Sequence, residues 1–197
     1  MTQSDATRPS LLVRIRNARD REAWGQFVEV YAPLVYDMAR RRGLQDADAA
    51  DLTQDVLRSI AGAIGRLEYD PRRGTFRSWL FTVTRNALNT FFEAQRRVPR
   101  ASGDSAVQDW LANQPDPADE SAVWDREYER RLLDVAAEQV RLEFENPTWQ
   151  AFWRTAVEGQ PAKEAAEGLG MSVGAVYIAR SRVLSRIKQK VAQLQDE

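Results

Sequence analysis

Apolar residues recur every third or fourth position along nearly the whole chain, and no stretch alternates with a period of two. The pattern predicts an all-α protein. Ser10 is placed to cap a short helix carrying Leu11, Leu12 and Ile15. Asp20 is placed to cap a longer one through Trp24, Phe27, Val28, Tyr31, Leu34, Val35 and Met38, bent by Pro33 and ended by Gly43. The next helix starts at Asp46 or Asp48, and Leu52, Val56, Ile60 and Ile64 form a stripe of four-residue steps. Residues 69–74, with their Asp-Pro and Gly signals, read as a loop. Thr75 then caps a helix from Phe76 to about Arg97, with Phe76, Trp79, Leu80, Val83, Ala87 and Phe91 expected to face the core.

The periodicity lapses between 99 and 120, where Ser, Asp, Asn, Ala and Pro dominate and only Val107, Trp110 and Leu111 offer apolar anchors. This segment reads as a linker. A second unit follows from 121, its first helix running through Trp124, Tyr128, Leu132, Val135 and Val140. Asn146 caps the next, with Pro147 in its first turn and Trp149, Phe152, Trp153 and Ala156 on one face. Gly159 closes it, Pro161 opens a short helix, and a final one runs from about 172 to 191. The layout is two small helical domains, 8–98 and 121–193, joined by a linker.

Within the second domain, Ala166 is followed by Gly170 four positions on and by Val176 six positions after that, the offsets of a helix-turn-helix. A small residue lets the helices approach, Gly permits a left-handed turn, and Val fills the angle between them. Leu169 fits a core position and Ser172 caps the second helix. Ala175, Tyr177, Ile178 and Ser181, with Gly174, are then placed toward base edges, and Arg180, Arg182, Arg186 and Lys188 toward phosphates. The competing reading is an ordinary helical hairpin with a solvated basic face.

Composition narrows the chemistry. The 197 residues include no cysteine and no histidine, which excludes Ser-His-Asp and Cys-His nucleophiles, zinc fingers and disulfides. No cofactor is expected, and any metal site must be built of carboxylates. The net charge of −1 conceals a separation: residues 8–98 carry +5 and residues 99–125 carry −5. No apolar run approaches the ~20 residues of a membrane span, and the N-terminus has no secretory pattern, so the cytoplasm is the expected compartment.

Two clusters in the first domain carry candidate chemistry. Asp48, Asp51 and Asp55, with Gln54, line an acidic helix face beside Leu52. That face suits a partner protein; helix-dipole stabilisation and a carboxylate-bound metal are the alternatives. From 72 to 97, Arg72, Arg73, Arg77, Arg85, Arg96 and Arg97 interleave with Phe76, Trp79, Phe81, Phe91 and Phe92, and Asn86 and Asn89 lie between them. Single-stranded nucleic acid is held by such mixtures, although aromatics at helical spacing are individually more often core.

Three motifs, D-A-A-D-L-T-Q-D at 48–55, Y-D-P-R-R-G-T-F-R-S-W-L-F-T-V-T-R-N at 69–86 and S-V-G-A-V-Y-I-A-R-S-R at 172–182, together resemble an extracytoplasmic function (ECF) sigma factor of the sigma-70 family. The resemblance covers 11–97 and 128–191 in the family's order. It implies a promoter-specificity subunit without catalytic activity, whose partners are core RNA polymerase, promoter DNA and an anti-sigma factor; with no leftover apolar heptad seam in the sequence, a monomer is expected when free. By the same resemblance Asp48, Asp51, Leu52, Gln54 and Asp55 bind polymerase. Arg72, Arg73, Phe76, Arg77, Arg85, Asn86 and Asn89 engage the minus-10 element, with Asn86 at the flipped-base position. Ser172, Ala175, Tyr177, Ile178, Arg180, Ser181 and Arg182 engage the minus-35 element. Tyr177 and Ile178 stand where family members often carry Arg and a small polar residue, so thymine-methyl contact or shape readout replaces bidentate guanine recognition there. The competing readings are a free-standing helix-turn-helix regulator and a helical enzyme with a metal on Asp48, Asp51 and Asp55.

Overall fold

A computed structural model describes residues 11–66, 75–97 and 116–195, and every regular element among them is helical. The helices are α1 (Leu11–Ile15), α2 (Arg21–Arg41), α3 (Asp46–Ala63), α4 (Phe76–Arg97), α5 (Pro117–Arg141), α6 (Asn146–Phe152), α7 (Ala162–Leu169) and α8 (Val173–Leu194). A 3-10 turn, Ile64–Arg66, extends α3, and a π-helical turn, Trp153–Val157, extends α6. The chain divides into two compact units, one ending at Arg130 and the other spanning Arg131–Gln195.

Local signals set the helix ends in the first unit. Asp20 Oδ1 accepts from the Ala23 amide at 3.0 Å and both its oxygens accept from Arg14, so one carboxylate caps α2 and ties α1 to it. The Arg14 guanidinium and the Ala23 amide hold the Asp20 carboxyl below its ordinary range. Gly43, at φ +90°, turns the chain out of α2. At α3 the capping residue is Gln45, with no side-chain cap bond, and Asp46 and Asp48 lie in the first turn where the helix dipole favours them. The expected stripe of Leu52, Val56, Ile60 and Ile64 is buried, against Phe27, Val30, Tyr31, Leu34, Val35 and Met38 in the same core.

The buried face of α4 differs from the expected one. Phe76, Leu80, Phe81, Thr84, Leu88 and Phe92 are buried, whereas Trp79, Val83, Ala87 and Phe91 are only half-buried. Thr84 lies on the buried face. Its hydroxyl donates to the Leu80 carbonyl at 2.9 Å, so a polar residue sits in the middle of the apolar line without an unmet hydrogen bond.

Helix α5 begins at Pro117, and its first half belongs to the first unit. Trp124 and Tyr128 are buried there, with Trp124 against Phe81 at 5.9 Å between ring centroids and Tyr128 stacked on Tyr31 at 5.7 Å. The division between units therefore falls within a helix, beyond the 99–120 segment read as a linker. Val107, Trp110 and Leu111 lie outside the described residues, as does Ser10.

In the second unit Asn146 is the first helical residue rather than the cap, which is Glu145. The expected closures hold at Gly159 (φ +72°) and Gly170 (φ +64°). Ala151, Ala165, Ala166, Val176 and Ala179 pack as one cluster, joined by Ala162, Leu169 and Met171. The Ala166, Gly170 and Val176 spacing thus produces two helices joined by a three-residue turn, with Gly170 left-handed and Val176 wholly buried between them.

Candidate polymerase and nucleic-acid interfaces

Helix α3 turns its apolar stripe inward and leaves Asp51, Gln54 and Asp55 exposed, with Asp48 half-buried. Leu52 does not share that face: at 6% exposure its side chain belongs to the core. Asp55 pairs with Arg58, an exposed pair whose contribution is at most about 1 kcal/mol. The start of the helix is pinned by Asp46, which accepts from the Tyr36 hydroxyl at 2.8 Å and pairs with Arg40 at 3.3 Å. The Asp46 carboxylate raises the Tyr36 phenol above its ordinary value. Among the described residues no group of three or more acidic side chains is gathered closely enough to hold a metal ion.

The second face lies on α4. Asn86 is exposed, and Asn89, Arg77 and Arg85 are half-buried. Phe76, placed among the minus-10 residues by the resemblance, is 1% exposed and packs edge-on to Phe27 and Tyr31, so it supports the face from beneath. Arg72 and Arg73 fall outside the described residues, as do the side chains of Arg96 and Arg97.

The residues surrounding those arginines were not legible as a site. Arg77 Nε lies 2.9 Å from Asp125 Oδ1, and its guanidinium sits 4.9 Å from the centre of the Tyr128 ring. Arg85 Nε lies 3.9 Å from Glu120 Oε2. Glu120 also accepts two hydrogen bonds from Arg42, one of them 2.7 Å from Nη2. Arg41 reaches Glu127 at 3.5 Å. The one signal in the sequence was the −5 segment at 99–125 following the +5 segment at 8–98.

Helix α8 carries the third face. Ser172 Oγ accepts from the Ala175 amide at 3.1 Å and caps the helix. Tyr177 and Ile178 stand 57% and 61% exposed, Ser181 and Arg182 are exposed, and Ala175 and Arg180 are half-buried. Val176, Ala179, Val183 and Ile187 hold the opposite side in the core. Arg186, expected among the phosphate contacts, is held by Glu143 through two hydrogen bonds, one of 2.9 Å. That pairing depresses the Glu143 carboxyl and raises the guanidinium.

The sigma-70 region 2 family matches residues 27–98, which take in most of α2 and all of α3 and α4. The RNA polymerase sigma factor CnrH of Cupriavidus metallidurans is 30% identical over 190 residues, covering 92% of this chain and 93% of that one. The chain belongs to the ECF sigma factors of the sigma-70 family. Similar relatives include NccH of Alcaligenes xylosoxydans xylosoxydans, 26% identical over 183 residues and spanning 91% of this chain and 93% of that protein. The ECF sigma factor SigE of Mycolicibacterium smegmatis is 29% identical over 165 residues, 82% of this chain and 57% of that longer protein. Among solved structures, that of CnrH in complex with the cytosolic domain of CnrY aligns over 92% of this chain and 95% of that one at 20% identity, with a TM-score of 0.35. As an ECF sigma factor the protein is a non-enzymatic subunit of RNA polymerase, which displaces the metalloenzyme reading. Among the described residues no helix is long and apolar enough to cross a membrane.

Proposed function

We propose that this sigma factor confers promoter specificity: it binds core polymerase through Asp48, Asp51, Gln54 and Asp55 on α3, engages the minus-10 element through α4 and reads the minus-35 element through α8. Residues 8–98 act as the region 2-like domain, 99–120 as a linker and 121–193 as the region 4-like domain, with 121–130 packed on the first unit. The observation that carries the reading is the exposed Asn86, next in sequence to the half-buried Arg85, on a helix inside the region 2 match. An extruded base costs a few kcal/mol to unstack, and a polar side chain beside cations on a polymerase-anchored helix offsets that cost without any catalytic group.

The minus-35 contact rests on α8, whose N-terminal half presents Tyr177 and Ile178 with Arg180 and Arg182 nearby. Apolar contact with thymine methyls suits these side chains better than bidentate guanine readout. Each contact is weak alone, and the tether raises affinity only when polymerase sets the spacing of the two elements. The free protein is a cytoplasmic monomer that binds promoter DNA poorly. An anti-sigma factor is a further expected partner, as membership of the ECF family implies.

The test is a pull-down with sigma-free bacterial core polymerase, comparing the wild type with a folded Asp51→Arg/Asp55→Arg variant. Stoichiometric binding lost in the variant is the expected result. A folded wild type that ignores polymerase but binds duplex DNA alone is instead a free-standing regulator.

A further inference from the structure

We propose that the first half of α5 is an internal acidic mask, which occupies the arginine face of α4 in the free protein and must leave it before that face takes single-stranded DNA. The inference rests on the assignment of that face to the minus-10 strand.

Residues 117–130 carry Asp119, Glu120, Asp125, Glu127 and Glu129 against Arg126 and Arg130. This acidic stretch meets arginines of α2 and α4 in its own unit. Asp125 reaches Arg77 at 2.9 Å, and Glu120 lies 3.9 Å from Arg85 while bonding Arg42. Carboxylate oxygens thus stand at the guanidinium groups where phosphate oxygens stand in a nucleic-acid complex. The two kinds of anion compete for the same donors.

Apolar contacts place the mask. Trp124 against Phe81 and Tyr128 on Tyr31 are buried, and Tyr128 also underlies the Arg77 guanidinium. Aromatic burial supplies attraction without regard to charge, while the carboxylates set which surface is covered. The docked arrangement has a cost that favours release: Trp124 Nε1 and Arg42 Nη1 are buried donors with no hydrogen-bond acceptor. A surface held by apolar contacts, carrying unmet donors and facing a polyanion competitor, suits a reversible cover.

The experiment measures binding of the full chain to a labelled single-stranded adenine- and thymine-rich oligonucleotide by fluorescence anisotropy. Glu120→Gln/Asp125→Asn removes both masking carboxylates. Asp119→Asn/Glu129→Gln makes the same change in net charge at exposed positions outside the Arg77 and Arg85 ion pairs. Asp125→Asn alone removes the carboxylate beside Arg77 while leaving the Arg42–Glu120 pair intact, so the test survives any loss of folding in the double variant. The mask predicts binding about 3-fold tighter for Asp125→Asn and about 10-fold tighter for the double variant, with the exposed-site control within about 2-fold of wild type. Adding Arg77→Ala to Asp125→Asn abolishes the gain.

Gains no larger than the control's, gains that survive Arg77→Ala, or no measurable binding by any folded variant each overturn the mask. The core-polymerase pull-down, run on the same proteins, separates the two inferences. Polymerase binding without unmasking removes the mask alone, whereas absence of polymerase binding removes the promoter-subunit reading.

Discussion

Glu120 Oε2 accepts a hydrogen bond from Arg42 Nη2 at 2.7 Å across 78 residues of chain, with the two side chains only 11% and 4% exposed. Removing one partner of such a pair leaves a buried charge uncompensated. Glu120→Ala should therefore destabilise the protein by about 3–5 kcal/mol, whereas Arg42→Met/Glu120→Leu should cost far less, because no ion is then left in the core. Urea unfolding of the two variants and the wild type checks the contrast; equal losses would mean the pair is not held away from water.

Acid stability should depend on Asp20. Its carboxyl titrates below the ordinary value of 3.8, chiefly because Arg14 donates to the ionised form. A lowered folded-state value means the stabilisation is fully present above the unfolded value and is lost as pH falls through the folded one. The stability difference between wild type and Asp20→Asn should hold steady from pH 7 to about 5 and shrink below pH 4. Denaturant midpoints of both proteins at pH 7, 4 and 3 test this, and a difference independent of pH contradicts it.

Gly170 adopts φ +64° with nothing within 4 Å of an added Cβ, so substitution meets backbone strain and no steric clash. Gly170→Ala should cost about 1–2 kcal/mol, and Gly170→Asn less, since Asn tolerates the left-handed region. Thermal unfolding of the two variants gives the order. Alanine and asparagine of equal stability would show that the turn relaxes.

The arginines of α8 should separate in their response to salt. Arg182 is exposed and Arg180 half-buried, whereas Arg186 is engaged by Glu143. With holoenzyme on duplex promoter DNA, Arg180→Ala or Arg182→Ala should lower the slope of log affinity against log salt by about one, while Arg186→Ala leaves it unchanged. A loss of slope in Arg186→Ala would mean that its pair with Glu143 opens on binding.

Asn86 should act at strand opening. Being exposed on α4, it can be truncated without loss of packing, so Asn86→Ala should slow opening at least about 10-fold with polymerase binding retained. Permanganate reactivity of unpaired thymines, read beside the pull-down, distinguishes this from a general defect. Equal loss of both would make Asn86 a structural residue.

The sequence by itself determined the helices, most of their ends and the Ala166, Gly170 and Val176 turn, because these depend on neighbours a few residues apart. Asp20 finds its amide three positions on, and Gly170 needs only its own backbone freedom. Periodicity also found the acidic side of α3, but motif resemblance could not separate Leu52 and Phe76, which face the core, from the exposed residues beside them. Only the tertiary structure decided that Thr84 is buried, that the first half of α5 joins the first unit, and that Glu120 and Asp125 meet the arginines of α2 and α4. The reason is physical: a helical period shows that a face is apolar or acidic, whereas the surface it covers depends on complementarity between segments far apart in the chain.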